Sequence, residues 1–213
     1  MVLSSPRDLY SQYRRPSVKT LGYFQQKNAK QMNPSLRLAR ESDIPELEAL
    51  IERSVRELQS AYYSAAQMDG ALGSVFGVDR QLIRDQTYFV VERNGAIIAC
   101  GGWSKRESLF GSDAARAVTD ALLDPHRDAA RIRAFFVQPE HARHGLARAI
   151  LLACENAIRA ARFQSIELVA TLPGVPFYQA FDYETGERSE VPLTNGLSLP
   201  VVRMFKNLVT LKQ

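Results

Sequence analysis

The chain has 213 residues, 46% of them hydrophobic, which is room for one sizeable domain with a real core. No apolar run reaches the roughly twenty residues that a membrane-spanning helix needs. The net charge of +4 is unevenly placed: residues 1–35 carry Arg7, Arg14, Arg15, Lys19, Lys27 and Lys30 against Asp8 alone, so they hold +5 and the remainder −1. A folded nucleic-acid-binding face is therefore not expected, because the basic character lies outside the body of the protein.

Residues 1–34 show no sustained period and read as a basic N-terminal extension ahead of a domain over 35–213. They lack the apolar core of a secretory signal, and the expected location is cytoplasmic. From Leu36, "LRLAR" alternates as a half-buried strand does. "ESDIPELEALIERSVREL" predicts a helix with Ser42 or Asp43 as cap, Pro45 in the first turn and a stripe of Ile44, Leu47, Ile51, Val55 and Leu58. "AAQMDGALGSVFG" and "VDRQLIRD" suggest shorter helical pieces. "TYFVVERNGAIIACGGW" predicts a hairpin turning at Asn94-Gly95, a pair that tolerates φ > 0. Its Gly101-Gly102 pair suggests a bulge or a close backbone approach.

A polar interval follows, with a short helix expected around residues 113–123. "RIRAFFV" predicts the next strand, and a long helix runs from about Gly145 to Ala161 with Leu146, Ile150, Cys154 and Ile158 on one face. "SIELVA" is a further strand, "PGVPFYQAF" a short helix, and "SEVPL" and "LPVVRMF" a closing pair around Thr194-Asn195-Gly196. The order β-α-α-β-β-β-α-β-α-β-β implies an α/β fold: a mixed sheet flanked by helices. Cys100 and Cys154 stand far apart without a metal or redox spacing and read as small buried hydrophobes.

The stretch "EHARHGLAR" has the chemistry of an anion cradle. A helix start carries unpaired N–H groups and partial positive charge. Gly145 lets an anion approach the backbone, Ala147 keeps that approach clear, and Arg143 and Arg148 add charge. A plain strand-to-helix connection explains these local features equally well. His141 and His144 lack a carboxylate or Cys at ligand spacing, so no metal is expected. The P-loop Lys-Ser/Thr, a G-x-G-x-x-G and a G-x-S-x-G are all missing from the chain.

"IRAFFVQPEHARHGLARAILLACENAI" resembles the acetyl-CoA-binding segment of the GNAT superfamily of N-acetyltransferases. Gly145 and Ala147 match the family's Arg/Gln-x-x-Gly-x-Gly/Ala loop, while Ala142 stands where Arg or Gln is usual. "PFYQAFDYE" resembles the family's Phe-Tyr-x-x-x-Gly-Phe, with Tyr178 at the tyrosine, Tyr183 at the last aromatic and Asp182 in place of Gly. "TLPG" replaces the family's Asn before that helix. With the order of elements included, the resemblance covers residues 36–206.

The resemblance implies a GNAT-type acyltransferase fold, with the sheet splayed between the fourth and fifth strands. It implies acetyl-CoA as cosubstrate and direct attack by a primary amine in a ternary complex, a small-molecule amine being favoured over a peptide amine. Phe135, Phe136 and Val137 would pair with the pantetheine arm, and Arg143, His144, Gly145, Leu146, Ala147 and Arg148 would hold the pyrophosphate. Tyr178, which side-chain chemistry alone reads as a core aromatic, becomes the general acid through this positional match. No base is assigned; Glu167 is considered and read as solvated or paired with an Arg. Trp103, Tyr62, Tyr63 and Phe76 are considered for an acceptor pocket. A homodimer is common among such proteins. The rival readings are a non-catalytic acetyl-CoA sensor or assembly module, and a protein that docks partners through its basic extension.

Overall fold

The alternating stretch at Ser35 forms strand β1 (Ser35–Leu38) in the computed structural model, which describes residues 33–109 and 120–208. A 3-10 turn at Glu41–Asp43 opens into helix α1 (Ile44–Leu58), whose Ile44, Leu47, Leu50, Ile51 and Val55 are buried. Asp43 does not cap α1 with its side chain. Its carboxylate instead accepts from the Arg40 backbone N–H at 2.8 Å and from the Arg37 guanidinium at 2.7 and 3.1 Å, because the preceding 3-10 turn aims it back at β1.

Two short helices follow. Ser64 and Gln67 cap each other at the start of α2 (Ala65–Ala71), and Asp79 accepts from the Gln81 and Leu82 N–H groups at the start of α3 (Arg80–Arg84). Three helices thus lie between the first two strands, the predicted long one and the two shorter pieces suggested by the sequence, which the order of elements merges into one. Strands β2 (Tyr88–Arg93) and β3 (Ala96–Ser104) form the expected hairpin, with Asn94 and Gly95 at φ 54° and 80°. The helix expected around 113–123 falls mostly outside the described residues. The described part, 120–123, is not helical, and Leu122 bridges Arg106 instead.

Strand β4 (Ala130–Val137) leads to α4 (Leu146–Ala160), then β5 (Ser165–Thr171), α5 (Val175–Gln179), β6 (Glu184–Pro192) and β7 (Ser198–Asn207). They build one seven-stranded sheet in the order β1-β2-β3-β4-β5-β7-β6. Among the described strands only β4 and β5 run parallel, and they pair at Ala130↔Ile166 and Arg131↔Glu167 before parting. The expected splay between the fourth and fifth strands is present.

Each face of the sheet carries its own core. Residues of α1, α2 and α3 pack with Tyr88, Ile97, Cys100, Phe136 and Leu199 on one side. On the other, α4 packs Ile150, Leu151, Cys154 and Ile158 against Ile132, Ile166, Leu168 and Met204. Between Gly102↔Arg133 and Cys100↔Phe136 the register slips, so Ala134 and Phe135 both oppose Gly101. This bulge puts Ala134 at φ 56°, and the Tyr88 hydroxyl donates to its carbonyl at 3.2 Å. A bulge bends its strand, and here the bend falls where β4 leaves β5. Gly101 is required for it, since a Cβ there would lie 2.7 Å from the Phe135 ring.

Candidate active site

A cavity of about 650 Å³ fills the opening between β4 and β5. Its floor is the β4 run Ile132–Val137, and one wall is the start of α4 with Arg143, Gly145, Leu146, Ala147 and Arg148. Another is α5 with Phe177 and Tyr178, and the C-terminal part of α1 with the turn after it adds Ser54, Leu58, Gln59 and Tyr62.

The start of α4 has no side-chain cap, and its N-cap Gly145 takes a left-handed φ of 81°. That conformation favours glycine, and a Cβ built there would meet nothing within 4 Å, so the space above the first turn is open. Arg143 shares the left-handed conformation at φ 65°. The turn therefore presents free N–H groups, a partial positive charge and two Arg side chains to the cavity, a donor set that fits an anionic pyrophosphate. The loop before it is pinned: Arg53 of α1 binds Gln138 Oε1 at 3.0 Å and Glu140 at 3.2 and 3.3 Å.

Of the residues singled out in the sequence, Phe135, Phe136, Val137, Arg143, Gly145, Leu146, Ala147, Arg148 and Tyr178 all line this cavity. His144 does not; it is exposed, the left-handed turn carrying its side chain off the cavity wall. Tyr178 is 8% exposed and ringed by Phe177, Tyr183 and Phe135 at centroid distances of 5.0, 5.6 and 6.3 Å. Burial first, and then Cys154, push its phenol above the ordinary range, so it stays protonated near neutral pH. Asp182, in the position where the resembled motif carries Gly, holds a left-handed φ of 63° and so keeps the turn that a glycine would make.

Glu167 is buried and held by Arg131 and Arg203, at the end where β4 and β5 still pair. It is outside the cavity lining. Trp103 is a core residue stacked edge-on against Phe163, and the Tyr63 hydroxyl is engaged with Pro200 O at 2.7 Å and Leu172 N at 2.8 Å. Tyr62 and Phe76 do reach the cavity. Cys100 is fully buried under Tyr88, and burial pushes its thiol up to about 12.

Among the lining residues that escaped the sequence reading, three carry polar side chains held in the structure near β4 and α1. Ser54 faces the cavity from α1, and its hydroxyl accepts from the Val137 N–H at 3.3 Å. Gln59 is 8% exposed at the C-terminal end of α1. Arg133 of β4 is paired with Asp79 at 3.0 Å, both side chains being almost wholly buried. A polar Ser inside the α1 apolar stripe was a usable signal; the Asp79–Arg133 pair spans too much sequence to leave one. No helix among the described residues is long and apolar enough to cross a membrane.

The acetyltransferase (GNAT) family profile matches residues 52–183, more than half of the chain. Among solved structures, a GCN5-related N-acetyltransferase from Rhodopseudomonas palustris aligns with a TM-score of 0.62 at 18% identity, covering 84% of this chain and 98% of its own. YncA from Salmonella typhimurium, solved with its cofactor acetyl-CoA, aligns at 0.57 with 14% identity over 85% of this chain and 98% of its own. The ribosomal-protein-S18-alanine N-acetyltransferase of Escherichia coli aligns at 0.54 with 13% identity over 85% and 97%. Among curated protein sequences, none matches this chain. At these identities the structures speak for the fold alone. The profile running from α1 to the turn after α5, on a sheet that parts between β4 and β5, shows that the chain belongs to the GNAT family of acetyltransferases.

Proposed function

We propose that the protein is an N-acetyltransferase that moves the acetyl group of acetyl-CoA to a primary amine by direct attack in a ternary complex, with a small-molecule acceptor favoured over a peptide. The observation that carries this reading is the meeting, in one cavity, of the parted β4 edge, the uncapped start of α4 and the buried phenol of Tyr178. Acetyl-CoA, when bound, supplies the activated thioester.

The N–H groups of residues 143–147, with the Arg143 and Arg148 side chains, are suited to the pyrophosphate, while the His144 side chain points away from the cavity and could contribute only its backbone N–H. The β4 backbone from Phe135 to Val137 is suited to the pantetheine arm, as an added strand suits a sheet edge. For Val137 this means exchanging the bond its N–H makes to Ser54 Oγ. A backbone N–H at the bulge is the candidate donor to the developing oxyanion. Tyr178 gives its proton to the departing thiolate, a role its neutral, buried phenol fits. Residues 35–213 then form the acetyltransferase domain and residues 1–34 a basic extension, and the protein acts in the cytoplasm; a homodimer is common among proteins of this kind.

The test is a thermal-shift measurement with acetyl-CoA, CoA and ATP, followed by thiol release over a panel of amines. Stabilisation by acetyl-CoA with acceptor-dependent CoA release supports the enzyme. Stabilisation without turnover on any amine supports the acetyl-CoA sensor in its place, and no shift with either CoA species at millimolar concentration removes both.

A further inference from the structure

Gln59 is the C-cap of α1 and lines the cavity. It is 8% exposed, yet its Oε1 is buried with no hydrogen-bond partner among the described residues. A buried acceptor left unpaired is costly, about 1–3 kcal/mol, and native proteins rarely leave one without a reason. Beside it the cavity wall is apolar and aromatic: Leu58, Tyr62, Val75 and Phe76. The charged groups facing the cavity come from two elements, Arg133 of β4, itself paired with Asp79, and Arg143 and Arg148 around the α4 turn; His141, Tyr62 and Tyr178 complete its titratable lining. With Arg133 paired and Arg143 and Arg148 given to the pyrophosphate, the lining offers no Asp or Glu among the described residues to pair with an ammonium ion or to take its proton.

We propose that Gln59 orients the acceptor, its Oε1 accepting an N–H of a primary amine that enters uncharged on an aromatic or apolar body. The proposal rests on the acetyltransferase reading above and names its substrate class. An amine of low basicity arrives with its lone pair free, so the site has no ammonium to deprotonate. The amine nitrogen forms the C–N bond to the acetyl carbon as the C–S bond breaks. Tyr178 passes its proton to the sulfur, and the proton shed by the new amide nitrogen restores the phenol through solvent. The Oε1 of Gln59 holds the N–H that remains, with the body of the amine between Tyr62 and Phe76.

The experiment measures acetyl transfer from acetyl-CoA to aniline, cyclohexylamine and spermidine between pH 6 and 9, with wild type, Gln59→Leu and Gln59→Glu. Wild type is expected to acetylate aniline with a pH-flat kcat/KM, while cyclohexylamine rises about tenfold per pH unit as its neutral fraction grows. Gln59→Leu is expected to raise KM for aniline at least tenfold. It should leave the acetyl-CoA Kd unchanged and the thermal midpoint unchanged or higher, since it removes a polar group with no partner. Gln59→Glu is expected to shift preference towards cyclohexylamine. An unchanged aniline KM in Gln59→Leu overturns the proposal, as does pH-flat, preferred turnover of spermidine by wild type; acetyl-CoA binding intact in either case leaves the acetyltransferase reading standing. Failure of wild type to bind acetyl-CoA overturns both.

Discussion

Tyr178 has no hydrogen bond to its hydroxyl from any described residue, and its ring is fixed on three sides by Phe135, Phe177 and Tyr183. A phenol so placed can spend its one proton on a ligand. Replacing it by Phe removes the proton and keeps the packing. Tyr178→Phe is expected to lower kcat at least tenfold, the low end of general-acid effects of roughly 10²–10⁴, with the acetyl-CoA Kd unchanged. Steady-state kinetics beside isothermal titration checks this. Because burial raises the phenol's pKa, Tyr178 keeps its proton at least to its ordinary value of about 10. Any fall in kcat between pH 7 and 9 must therefore come from another group. Gly145 makes a different kind of residue-level contribution. Its φ of 81° is strained for any L side chain while the surrounding space is open. Gly145→Ala should thus cost about 1–2 kcal/mol through the backbone alone, and should weaken acetyl-CoA binding as the α4 turn relaxes. A denaturant melt and a titration measure the two effects separately.

The entry to α1 depends on an ion pair rather than on the Ser/Asp cap that the sequence suggested. Arg37 of β1 holds Asp43, and also Glu92 of β2 at 2.8 Å, so one side chain joins two strands and the helix start. The hydrogen bond from Arg37 holds the Asp43 carboxyl below the usual carboxylate range. A folded-state pKa below the unfolded one contributes stability above the unfolded value of about 3.9 and loses it as pH falls through the folded value. Arg37→Met is expected to lower the thermal midpoint at pH 7 and to narrow the difference between pH 7 and pH 3, which a pH series of melts reads directly. At this scale the sequence was legible wherever a pattern was local. The 3.6 period of α1 and the Asn94-Gly95 turn both involve residues within a few positions of each other. The β4 bulge was half legible: Gly101-Gly102 marked it from β3, but the residue that fills the space, Phe135, lies on another strand. The outward direction of the His144 side chain was not legible, because the left-handed turn at Arg143 and Gly145 is a tertiary arrangement of the loop.

Across the molecule, the buried Asp79–Arg133 pair joins the start of α3 to β4 one residue before the bulge. Asp79 also caps α3, so a single carboxylate serves two elements. Breaking a buried pair from one side costs about 3–5 kcal/mol, because the remaining charge stays in the interior. Asp79→Ala is expected to lose that much stability in chemical unfolding and to weaken acetyl-CoA binding through the bulge, although Asp79 is outside the cavity lining. The amino-acid sequence by itself determined the nature and order of the strands, the amphipathic α1 and α4, and the glycine at the α4 turn, since each follows from side-chain periodicity or backbone freedom within a few residues. Only the tertiary structure decided at which residues β4 and β5 part, that Glu167 is bound by both Arg131 and Arg203, and that Ser54, Gln59 and Arg133 share the cavity with Tyr178. Those outcomes depend on residues tens of positions apart competing for one partner or one space, and no local pattern records which of them wins.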